Sequence, residues 1–155
     1  MTLYLLRHAD AVPHRADDAG RELTPHGFEQ AQRAGVFARK NDIKPDVILS
    51  SPYKRAEQTA RTFAKEISAE VTLANFLISG MEPKTACAEL AKYQKFNSVM
   101  IVGHEPDFST LAATLLGIPS PNGIHLKKGS LTALTLDAFQ RGSATLEFSL
   151  PPKFF

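Results

Sequence analysis

The chain has 155 residues, of which 43% are apolar and 22% charged, with a formal net charge of +2. That balance supports one core in a single domain, residues 1–155, and excludes a disordered chain. Lysines and arginines are scattered, never more than two in succession, so no basic stripe calls for nucleic acid.

No apolar run reaches the length that spans a bilayer, and Arg7 interrupts the apolar start too early for a secretory signal. One cysteine, Cys87, cannot form an internal disulfide, which agrees with a reducing compartment. A cytoplasmic protein with no membrane contact is expected. Ala86, Ala88 and Leu90 around Cys87 suggest a packing position on a helix.

The apolar run Leu3-Tyr4-Leu5-Leu6 lacks polar alternation and reads as a central strand covered on both faces. Arg7 and His8 follow at once, where open α/β sheets place their ligands. Val12 to Glu22 is polar and forms a long loop, a length that is uncommon unless functional. Thr24 and Pro25 then start a helix as N-cap and first residue, with Phe28, Ala31, Gly35 and Ala38 at helical spacing. Val47 to Ser50 is a second short strand. Ser51-Pro52 repeats the capping device, and Ala56, Ala60, Phe63, Ala64 and Ile67 form the buried stripe of the helix behind it.

Arg55 falls in the first turn of that helix, near another strand's carboxyl end. A third strand is expected around Val71 to Leu73, an irregular stretch to Pro83, and a helix from Thr85 to Tyr93. Ser98 to Gly103 is again a continuous buried strand, and it delivers His104. Glu105-Pro106 opens a helix with Phe108, Leu111, Ala112 and Leu115 on its buried side. Leu131 to Leu136 and Ala144 to Leu150 alternate as strands of a closing hairpin turned at Arg141-Gly142. The alternation of strands and helices predicts an α/β fold, with helices on both faces of a mostly parallel sheet.

Two guanidiniums, Arg7 and Arg55, and two imidazoles, His8 and His104, would converge on one sheet edge. Arginine forks suit phosphate oxygens, and a neutral histidine there can accept a phosphoryl group. Ser51 is read first as a helix cap and second as a phosphate contact. His14, His26 and His125 lack a partner pattern and read as solvated or structural, and no spacing suggests a metal site.

Leu6-Arg7-His8-Ala9-Asp10, Leu23-Thr24-Pro25-His26-Gly27, Ser50 to Thr59 and Val102-Gly103-His104-Glu105-Pro106 together resemble the histidine phosphatase superfamily. This is the phosphoglycerate mutase-like group, and the short chain is most similar to its SixA-type phosphohistidine phosphatases. The resemblance implies a three-layer α/β/α sandwich ending in a β-hairpin. It also implies His8 as the nucleophile that becomes phosphohistidine, Arg7 and Arg55 as clamps, and His104 as a donor to the transferring group. No cofactor or metal is implied. Ala9 stands where the family usually has glycine.

Asn75 stands where the family commonly places a glutamate as general acid, and it joins Ser51 among the substrate-binding candidates. Asp10, Asp17, Asp18, Glu82 and Glu105 are possible substitute acids. Alternatively no acid is needed, because an imidazole leaves phosphorus more easily than an alkoxide. The expected substrate is phosphohistidine on a protein, such as a histidine phosphotransfer domain. Ala74 to Asn97 leaves little room for a lid, which suits an open site and argues against a mutase. The alternatives are a phosphatase for a small phosphate ester or pyrophosphate, and a phosphate-binding module without turnover.

Overall fold

The computed structural model describes residues 1–13 and 16–155. His14, named among the sequence candidates, lies outside them. Six strands form one sheet in the order β3-β2-β4-β1-β5-β6. They are β1 (Thr2–Arg7), β2 (Val47–Ser50), β3 (Val71–Leu73), β4 (Ser98–Gly103), β5 (Leu131–Leu136) and β6 (Ala144–Leu150). The pairs β3-β2, β2-β4 and β4-β1 are parallel, whereas β5 runs antiparallel to both β1 and β6. The sheet is therefore mixed: a parallel core closed on one side by the expected hairpin.

Because strand side chains alternate, β1 feeds two separate cores. Leu3 and Leu5 pack with Val99, Ile101, Leu90, Phe108 and Leu111, on the side of α3 (Pro83–Ala91) and α4 (Asp107–Leu116). Leu6 packs with Met100, Val102, Ala34, Ala60 and Phe63, on the side of α1 (Pro25–Lys40) and α2 (Lys54–Glu66). This is the three-layer α/β/α sandwich. Among the described residues no helix is long and apolar enough to cross a membrane.

Thr24 caps α1 as expected, its hydroxyl accepting the Gly27 N–H at 3.0 Å. Three local expectations need correction. Phe28 does not join the buried stripe of α1; it is 41% exposed, and Ala34 takes the place facing the core. α3 begins two residues earlier than Thr85, because Pro83 occupies its first turn. Ser51-Pro52 does not open α2, which starts at Lys54 after an N-cap position at Tyr53. The Ser51 N–H still donates to Val102 C=O at 2.9 Å, so this residue extends the edge of β2. Cys87 is partly buried against the α3/α4 core, as its neighbours suggest.

Candidate active site

β1, β2 and β4 are adjacent and parallel, so their carboxyl ends deliver Arg7-His8, Ser51 and His104 to one edge. His8 is 6% exposed, Arg55 4%, His104 2% and Ser51 fully buried. The imidazole rings of His8 and His104 lie 5.3 Å apart. The four expected residues Arg7, His8, Arg55 and His104 thus bound one site.

The His8 Nδ1 lies 2.8 Å from the Ala9 carbonyl oxygen. A carbonyl only accepts, so in the neutral ring Nδ1 carries the hydrogen and Nε2 keeps the lone pair. The Ala9 peptide is held in turn. Its N–H donates to Thr59 Oγ1 at 3.0 Å, and that hydroxyl donates to Arg55 C=O at 2.7 Å. One threonine therefore ties the peptide that orients His8 to the turn carrying Arg55.

Burial chiefly pushes the His8 pKa down to about 4; the bond to Ala9 opposes it, and the positive charges of Arg55, Arg7 and Lys128, each a smaller contribution than that bond, add to the lowering. His104 is pushed down to about 3 by burial and by His8 and Arg55. Both rings are neutral near pH 7. The His104 Nε2 lies 2.9 Å from Ser51 Oγ, which also accepts the Tyr53 N–H at 3.3 Å. Ser51 is thus a partner of His104 and not a helix cap.

Arg7 Nη1 donates to Leu126 C=O at 2.6 Å. Arg55 is engaged by the long loop: Nη1 donates to Asp18 C=O at 2.7 Å and Nη2 to Asp18 Oδ2 at 3.1 Å. An anion gripped by those two nitrogens competes with Asp18. Arg7 Nε, Arg55 Nε and His104 Nδ1 are buried without a hydrogen-bond partner among the described residues. Such cationic and polar nitrogens around a neutral imidazole fit a phosphoryl group. Among the described residues no group of three or more His, Cys, Asp or Glu gathers as metal ligands would.

The candidate acids divide by place. Asp10 bonds Lys128 at 2.8 Å and Thr24 at 2.9 Å, and the Lys128 bond chiefly holds its pKa below the ordinary range. Asp18 is lowered too, first by the bond from Arg21 and then by Arg55. Neither keeps a proton to donate near neutrality. Asp17 accepts the Gly20 N–H at 3.0 Å within the loop, and Glu82 is exposed at the start of α3. Glu105 accepts a bond from Ser109 at 2.8 Å while its charge reaches Arg7.

Asn75 is exposed in a short turn after β3, and its amide makes no hydrogen bond among the described residues. Ala74 N–H donates to Ser50 C=O at 2.8 Å, which brings that turn to the same sheet edge. Sequence reasoning did not single out Thr59, Tyr53 or Lys128. Thr59 sits one helical turn beyond Arg55, a visible signal. The Tyr53 ring, 5.1 Å from the His104 ring and 5.1 Å from the Arg55 guanidinium, gave none.

The family model described as Histidine phosphatase superfamily (branch 1) matches residues 3–78. Phosphohistidine phosphatase SixA of Escherichia coli is 24% identical over 156 residues, covering 98% of this chain and 94% of that protein. Uncharacterized protein Rv1276c of Mycobacterium tuberculosis is 35% identical over 115 residues, 73% of this chain and 71% of the relative. A solved structure of the protein histidine phosphatase SixA complexed with tungstate shares the fold with a TM-score of 0.90, at 23% identity over 99% of both chains.

Proposed function

The chain belongs to the histidine phosphatase superfamily and is a phosphatase on that ground; from this premise we propose that it removes phosphate from phosphohistidine on a protein, through a covalent phosphohistidine at His8. The observation that carries the reading is the His8 tautomer. With Nδ1 donating to Ala9 C=O at 2.8 Å, the nucleophilic Nε2 belongs to a ring held neutral among cations. Arg7 and Arg55 then grip the phosphoryl oxygens, and His104 donates to them as charge builds.

In the first step the His8 Nε2–P bond forms as the substrate N–P bond breaks, and the departing imidazole takes a proton from solvent, which the attacking water of the second step gives back. Water then breaks the His8 N–P bond, releasing inorganic phosphate and restoring the neutral ring. Donor and acceptor are both imidazoles, so the first transfer is nearly balanced in energy. A strong acid is needed far less than for an alkoxide, which accords with Asn75 at the sheet edge and with Asp10 and Asp18 held ionised. The single Cys87 fits a cytoplasmic setting.

The test compares turnover of a phosphohistidine peptide and an alkyl phosphate ester, and traps the phosphoenzyme by mass spectrometry. The peptide should be strongly preferred, with acid-labile phosphate on His8. A His8→Ala protein should lose both label and turnover by several orders of magnitude. Equal rates on the two substrates would remove the phosphohistidine assignment, and label on another residue would remove the mechanism.

A further inference from the structure

Beside the site bounded by His8 and His104 lies a cavity of about 560 Å³, and Arg7 lines its wall. The other walls come from α1, from residues 125–128 and from the C-terminal residues 151–153. Arg7, Arg33, Lys127, Lys128 and Lys153 line it, and no carboxylate does among the described residues. The whole chain sets 18 lysines and arginines against 16 carboxylate side chains, so this concentration is local.

Arg33 donates to the Phe155 carbonyl at 2.6 Å and Lys128 is shared with Asp10 at 2.8 Å. Lys127 and Lys153 are exposed and form no ion pair among the described residues.

The backbone that carries Lys127 and Lys128 is fixed relative to the nucleophile. Arg7 Nη1 holds Leu126 C=O at 2.6 Å, and the Gly129 N–H donates to Arg7 C=O at 3.2 Å and His8 C=O at 3.1 Å. Gly129 has φ +72°, a conformation that favours glycine and lets the chain turn back onto β1. The segment bearing Lys127 and Lys128 is therefore strapped to the end of β1.

We propose that this cavity receives an acidic stretch of the phosphorylated protein, flanking the side chain that His8 dephosphorylates. The proposal rests on the phosphohistidine reading above. Exposed lysine heads on long stems read net negative charge and not shape. The second anionic group of a small substrate would call for buried, converging donors like those around His8. Pro151 and Pro152 supply apolar wall for the aliphatic parts of a peptide.

The experiment uses two phosphohistidine peptides that differ only in their flanks, one acidic and one neutral, with the full chain. The acidic peptide should have the higher kcat/KM, on the order of tenfold at low salt, and raising the ionic strength should collapse the ratio. In a Lys127→Glu/Lys153→Glu protein the ratio should fall to about one or invert. A wild-type ratio near one, or a ratio that salt and charge reversal leave unchanged, would overturn the proposal. The salt titration of the wild type decides the matter even if the double variant folds poorly. Failure to hydrolyse either peptide would instead count against the phosphohistidine reading itself.

Discussion

His104 is positioned by a single hydroxyl. Ser51 is fully buried, stands 2.9 Å from His104 Nε2, and takes the Tyr53 N–H on its other side. Removing it strands a buried imidazole nitrogen, a cost of about 1–3 kcal/mol. Ser51→Ala should lower kcat roughly tenfold with a smaller change in KM, and Ser51→Thr should restore most of it. Steady-state kinetics on all three proteins checks this; a change confined to KM would assign Ser51 to substrate binding. Read locally, Ser51-Pro52 looks like a helix entry, and nothing in the pair itself says otherwise. What decides is the neighbouring strand, because Val102 C=O takes the Ser51 N–H and keeps that residue extended. Arg7 and His8 were legible for the opposite reason: a strand end and the dipeptide after it are local. The hold of Asp18 on Arg55 joins residues 37 apart through a loop without periodicity, so no pattern announces it.

The elements themselves were legible because each carries its own period, whereas their order in the sheet was not. Continuous apolar runs mark β1 and β4 as buried on both faces, yet the same signal allows several neighbours for each. The split of Leu3 and Leu5 from Leu6 between two cores becomes visible only with the helices in place. The α1–α2 contact shows what binds the elements of one layer. A Cβ built on Gly35 would come within 2.7 Å of Phe63 C=O and 2.8 Å of Glu66 Cβ. In an isolated helix alanine is favoured over glycine by about 1 kcal/mol. Overpacking against a backbone carbonyl, which cannot swing aside, costs roughly 1–3 kcal/mol and outweighs that gain. Gly35→Ala should therefore lower the denaturation midpoint by an amount equal to about 1 kcal/mol and up to about 2, with an unchanged denaturant slope. An unchanged or higher midpoint would mean that the two helices can separate without loss.

For the whole molecule, gathering two imidazoles and two guanidiniums at one edge makes stability depend on acidity. His8 titrates at about 4 in the fold against 6.5 ordinarily, and His104 at about 3. Between those limits the unfolded chain binds more protons than the folded one, so stability rises with pH across the window. It is complete above about pH 6.5 and is lost as the pH falls toward 4, by on the order of 3 kcal/mol for His8 alone. That is a large share of the 5–15 kcal/mol that holds a domain of this kind together, by the usual order of magnitude. Asp10 and Asp18 also favour the fold, but their lowered pKa values put their loss below the ordinary value of 3.8, outside this window. Denaturation between about pH 7 and 5 therefore isolates the histidines, and a His8→Asn protein should show a distinctly shallower slope there. Equal slopes would place the pH dependence elsewhere. The same low pKa has the opposite consequence for chemistry, because His8 keeps its lone pair as the solution is acidified. Turnover per folded molecule should stay level to about pH 5 while the free energy of unfolding declines. Stopped assays paired with denaturation at each pH separate the two, and a rate that falls with a midpoint near 6.5 would show that the ring is not held neutral by its burial.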